Sequence, residues 1–178
     1  GPDTFGYKFS DNNCPNGQSY NWVELAGDWS ATEILPSSDD SYVNNIGMGF
    51  FFNYYGTDYS QLSIGNNGLL FASGASGQYT NEPINQSTIH GFIAPVWDDI
   101  VTWGSAGTIY YETKGTYPNR MFVVEWYDNQ HYSYSTSGIT FEVILYEGTN
   151  NILFQYKDVD FGTVSGSTSS DLPPYNNG

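Results

Sequence analysis

Alternation constrains this chain most. In Ile139–Glu147 the residues Ile139, Phe141, Val143 and Leu145 fall on one side of an extended backbone. Thr140, Glu142, Ile144 and Tyr146 fall on the other. In Ile152–Lys157, Ile152, Phe154 and Tyr156 oppose Leu153, Gln155 and Lys157. A period of two with one greasier side predicts half-buried antiparallel strands. The intervening Glu147-Gly148-Thr149-Asn150-Asn151 predicts a hairpin. Similar runs at Tyr20–Leu25, Met48–Tyr55, Tyr59–Ile64, Leu69–Ala72, Phe92–Trp97, Thr108–Thr113 and Arg120–Tyr127 read as strands. Asn66-Asn67-Gly68 predicts a tight hairpin needing positive φ. No stretch keeps a helical period, and there is no internal repeat. The fold class expected is all-β, an antiparallel β-sandwich whose last strand or strands could lie outside this chain.

At 178 residues the length suits one domain. Gly1-Pro2 reads as a tag-cleavage scar, residues 3–162 as the single sandwich domain, and 163–178 as a Ser/Gly/Pro-rich loop or tail. Four Lys and Arg against 19 Asp and Glu give a net charge of −15. Four cations cannot neutralise a row of phosphates, so nucleic-acid binding is disfavoured, and so are anionic membrane surfaces. No run approaches the roughly 18 apolar residues of a membrane span, so insertion by this domain is not expected. Cys14 is alone, which forbids an internal disulfide and any Cys-rich zinc site. The composition, poor in Lys and rich in Asn, Ser, Thr, Tyr and Gly, is that of an exported protein. Asn85-Gln86-Ser87 is a glycosylation sequon.

Several constellations bear on chemistry. Trp97-Asp98-Asp99 closes an apolar run, and Asp39-Asp40 sits in a Ser-rich loop. Asp98, Asp99, Asp39 and Asp40 are candidate oxygen ligands for Ca²⁺. Adjacent strand residues point to opposite faces, so Asp98 and Asp99 would share an ion only at a bend. The plainer reading is that each pair caps a turn. Glycoside hydrolysis needs two facing carboxyl groups. Glu112, Glu125 and Glu142 lie on strands, but Glu125 and Glu142 alternate with apolar neighbours and more simply mark a solvent face. His90 and His131 accompany no nucleophile motif. The chain is therefore read as a non-enzyme, with a glycoside-hydrolase-like activity as the weaker alternative.

Aromatic residues make up 18% of the chain. Phe51, Phe71, Phe92, Trp97, Phe122, Phe141 and Phe154 sit in apolar runs and are expected in the core. Tyr127, His131, Tyr132 and Tyr134 are candidate ligand-binding residues, because rings beside polar planar groups suit sugars. They equally suit a protein interface or ordinary β-structure.

Phe50-Phe51-Phe52-Asn53-Tyr54-Tyr55-Gly56 and Tyr59 through Phe71, with Asn67-Gly68 inside, resemble the opening pattern of nidogen-type (NIDO) domains. Ile93-Ala94-Pro95-Val96-Trp97-Asp98-Asp99, then Gly107-Thr108-Ile109-Tyr110-Tyr111, resemble the next block. Val123-Val124-Glu125-Trp126, Thr140–Tyr146 and Ile152-Leu153-Phe154-Gln155-Tyr156 resemble the rest. The resemblance covers about residues 46–158, and the region before it looks like the front half of the prokaryotic version. It implies an extracellular β module of prokaryotic cell-surface or secreted proteins, mediating adhesion or protein interaction, with no catalytic set to carry over. A carbohydrate-binding module is the alternative. Such domains usually continue past the last block, so three explanations stand for the end at Gly178: a cut chain, a cleaved parent, or completion by a separate segment. The partners expected are a protein or glycan at a cell surface and, under cleavage, a C-terminal segment of the parent chain.

Overall fold

The computed structural model describes residues 2–15, 17–84, 87–103, 107–133 and 136–162. Ten strands are found there, and every pairing between them is antiparallel. They are β1 (Thr32–Ile34), β2 (Tyr42–Tyr54), β3 (Thr57–Gly65), β4 (Leu70–Phe71) and β5 (Phe92–Ile93). Then come β6 (Ile100–Val101), β7 (Thr108–Lys114), β8 (Met121–His131), β9 (Ile139–Tyr146) and β10 (Ile152–Asp158). One sheet runs β1-β7-β8-β9-β10, with β6 pairing the far end of β8; the other runs β2-β3-β4-β5. The two sheets pack face to face, so the β-sandwich is as expected. The predicted tail at 163–178, Tyr134 and the sequon residues Asn85 and Gln86 lie outside the described residues.

The core forms where the inward alternations of the two sheets meet. Ile46, Met48, Phe50 and Phe52 of β2 and Leu62 and Ile64 of β3 pack against Phe122, Val124 and Trp126 of β8 and Ile139, Phe141, Val143 and Leu145 of β9. The Trp126 ring stacks on Phe141 at 4.9 Å, and its Nε1–H donates to the Gly65 carbonyl of the opposite sheet at 3.1 Å. The indole thus supplies apolar area and satisfies its one donor across the layers.

Four expectations need correction. Phe92–Trp97 is a strand only at Phe92–Ile93, consistent with the missing N–H of Pro95. Phe51 is 71% exposed, because Phe50 and Phe52 take the inward positions of β2. Phe154 is 38% exposed, since it lies on β10 at the edge of its sheet. The first predicted strand, Tyr20–Leu25, is not a strand at all. It is an extended strap across the outer face of β8, β9 and β10, and side chains rather than a ladder hold it.

Candidate functional site

Two sites emerge from this frame. The first is an acidic cluster where the loop before β2 meets the residues leading into β6. Leu35, Ser37 and Asp40 have positive φ (51°, 57° and 48°), which winds the loop before β2 tightly. Thr102 pins that loop: its hydroxyl donates to the Leu35 carbonyl, and it exchanges backbone hydrogen bonds with Ser37 and Ser38. Asn66 and Asn67 tie the same region together. Both are buried, at 0% and 2% exposure. Asn66 accepts from Ser41 N–H and donates to the Ile100 carbonyl; Asn67 accepts from Ile100 N–H and donates to the Asp40 carboxylate at 2.9 Å. Gly68 completes the turn at φ 76°, and a Cβ there would lie 1.8 Å from the Val96 carbonyl oxygen. The sequence signals the turn, but nothing local in it signals that the two amides stitch the loop to β6.

The stitching brings Asp39, Asp40 and Asp99 together, with one carboxylate oxygen of each within 4.8 Å of the others. Two oxygens on opposite sides of one Ca²⁺ stand about 4.8 Å apart, so this set can share a hard cation. Asp39 Oδ1 is buried without a hydrogen-bond partner. Burial, then the charges of Asp40 and Asp39, push the Asp99 carboxyl up to about 6. Asp98 turns elsewhere: its Oδ1 accepts from Asp99 N–H and lies 3.6 Å from His131 Nε2. Three of the four aspartates proposed from sequence therefore converge, and the fourth pairs with a histidine.

Three of the four ring residues proposed from sequence are among the described residues. His131 is buried beside Asp98, with its ring edge-on to Phe161 at 5.5 Å. Tyr132 is exposed and leans on Trp103, and Tyr127 is partly exposed on β8.

The second site is a buried acid pair, and it corrects the reading of these residues as a solvent face. Glu125 of β8 and Glu142 of β9 stand directly opposite each other, and both are 0% exposed. The strap covers them. Leu25 and Ala26 N–H donate to Glu125 Oε2 at 2.8 Å each, and Val23 N–H donates to Glu142 Oε1 at 3.2 Å. Gln155, the next residue across the sheet, donates to Glu142 Oε1 and accepts from Asn21 N–H at 2.7 Å. Leu25 packs on Val123 and Ile144 below. Glu125 Oε1 and Glu142 Oε2 have no partner. Burial pushes Glu142 up to about 7 and Glu125 upward as well. Two facing acids are what a glycosidase needs, yet here they meet a peptide backbone and no cleft. Glu112, the third candidate, pairs with Lys114 at 2.6 Å.

The chain belongs to the NIDO-related family, whose model matches residues 11–172. Among known proteins it is similar to alpha-tectorin of Gallus gallus, 25% identical over a 166-residue alignment that covers 78% of this chain. The chain spans 8% of that relative's length. No solved structure matches it.

Proposed function

We propose that this chain is an extracellular, non-catalytic module of a larger surface or secreted protein, binding a protein or glycan through the loops and faces of its sandwich. The observation that carries the reading is the sealing of Glu125 and Glu142 by the strap, which leaves the strand-borne acid pair no access to substrate. The net charge of −15 and the likeness to alpha-tectorin support it. The test is surface biotinylation of intact source cells with assay of the culture medium. Recovery of the parent protein in the labelled or secreted fraction is expected, and recovery only after lysis overturns the extracellular reading.

One observation favours a companion role for Ca²⁺. The three convergent aspartates, with a buried unpartnered oxygen on Asp39, offer a cation a place to bridge the loop before β2 to the start of β6. An ion there would stiffen one end of the sandwich and fix the loops beside it.

A further inference from the structure

A trough runs along β2 and β3 under the loop that follows β4, with a volume of about 490 Å³. That is within the size range of small-ligand sites. Its formation begins with a break in alternation. Val43 pairs Ile64 and Ile46 pairs Leu62, so two residues of β2, Asn44 and Asn45, oppose Ser63 alone. Asn45 has φ 59°. Regular pleating would send neighbouring residues to opposite faces; the bulge lets both asparagines line the trough. Asn44 is held, since the Ser63 hydroxyl donates to its Oδ1 at 2.8 Å. Gln61 lies beside them, exposed.

The chemistry of the lining is selective. Tyr42 pairs Gly65, so no side chain crowds its 41%-exposed ring from the neighbouring strand. A Cβ at Gly65 would come 3.4 Å from the Phe71 ring, so space there is already tight. Leu62 and Phe71 back the trough at 3% and 2% exposure, so they form a floor rather than a hole for a peptide side chain. Asp58 is the one charged residue of the lining, and Asn53 Nδ2 already donates to it at 2.7 Å. Among the described residues no Lys, Arg or His lines the trough, so an anionic ligand finds no counter-charge there.

We infer that this trough binds a neutral saccharide, with the Tyr42 ring against the sugar's C–H face and Asn44, Asn45 and Gln61 on its hydroxyls. Amide side chains both donate and accept, as hydroxyl groups require. Neither Tyr127 nor Tyr132 lines the trough. It deepens the binding role proposed above and rests on it only for biological setting.

The test is NMR titration of the full chain with cellohexaose, maltohexaose and chitohexaose, with an oligogalacturonate as the anionic control. A neutral oligosaccharide is expected to shift the amides and side chains of Tyr42, Asn44 and Gln61. Tyr42→Ala and Gln61→Ala should each weaken binding at least tenfold, with melting temperatures checked for intact folding. Tyr127→Ala and Tyr132→Ala should change it less than twofold. No shift with any neutral hexasaccharide overturns the inference, and so does binding of the anion alone or loss of binding through Tyr132. A surface-exposed parent without saccharide binding sinks this site alone. Saccharide binding by a protein confined inside the cell sinks the extracellular reading alone.

Discussion

Glu142→Gln should flatten the loss of stability that the protein suffers as pH rises. The Glu142 carboxyl has no exposure, and burial lifts it from 4.5 to about 7. A group whose pKa is higher folded than unfolded favours the folded state while protonated. Its contribution is complete below pH 4.5 and is lost as pH climbs through 7. Raised from 4.5 to about 7, at 1.36 kcal/mol per tenfold in the proton equilibrium, the carboxyl accounts for a total loss of about 3 kcal/mol. Glu125 moves in the same direction, and ionising either opposes ionising the other. Asp28 and Glu147 are both lowered by their cationic partners, so they stay charged across pH 5–8 and add no slope. Asp99 adds slope near pH 6, but equally in both proteins. In the variant, the amide oxygen keeps the bonds from Val23 and Gln155, and the new NH₂ can reach for Glu125 Oε1 across the strands. Urea unfolding followed by tryptophan fluorescence at pH 5, 6, 7 and 8 measures the effect. The wild type should lose about 2.5 kcal/mol more than the variant between pH 5 and 8, the rest of the loss falling below pH 5. Equal slopes, or a wild type that gains stability with pH, would refute the reasoning.

Calcium should raise the melting temperature at pH 7.5, and the rise should shrink at pH 5, where Asp99 is protonated before it can ligate. Asp99→Asn should remove the shift, as read by differential scanning fluorimetry. Asn67→Ala should cost about 2–3 kcal/mol in urea unfolding, because it leaves the buried Ile100 N–H without an acceptor. A cost below about 0.5 kcal/mol would mean water takes the place of the amide.

What was legible in the sequence was what is local. The faces of β9 and β10 follow from alternation across one hairpin, and Ile139, Phe141, Val143 and Leu145 are all in the core. Phe51 is the exception, expected in the core but facing outward, as alternation requires of one among three consecutive phenylalanines. Glu142 was misjudged for a different reason. Its alternation does put it on the outer face, but the strap that closes over it comes from 119 residues away. No local pattern announces that cover. The convergence of Asp39 and Asp40 with Asp99 was equally hidden, because it depends on Asn66, Asn67 and Thr102 stitching a loop to β6. The aspartate pairs gave the chemistry but not the partners.

Amide hydrogen exchange at Leu25 and Ala26, resolved by NMR at pH 6, probes the sealing of the acid pair most directly. These N–H groups sit in no β-ladder, so their protection comes from Glu125 alone. Protection within about tenfold of the β8 and β9 amides is the result predicted. Exchange at open-chain rates while β8 and β9 stay protected would mean that the acids face solvent, and the scaffold account would fail with the strap.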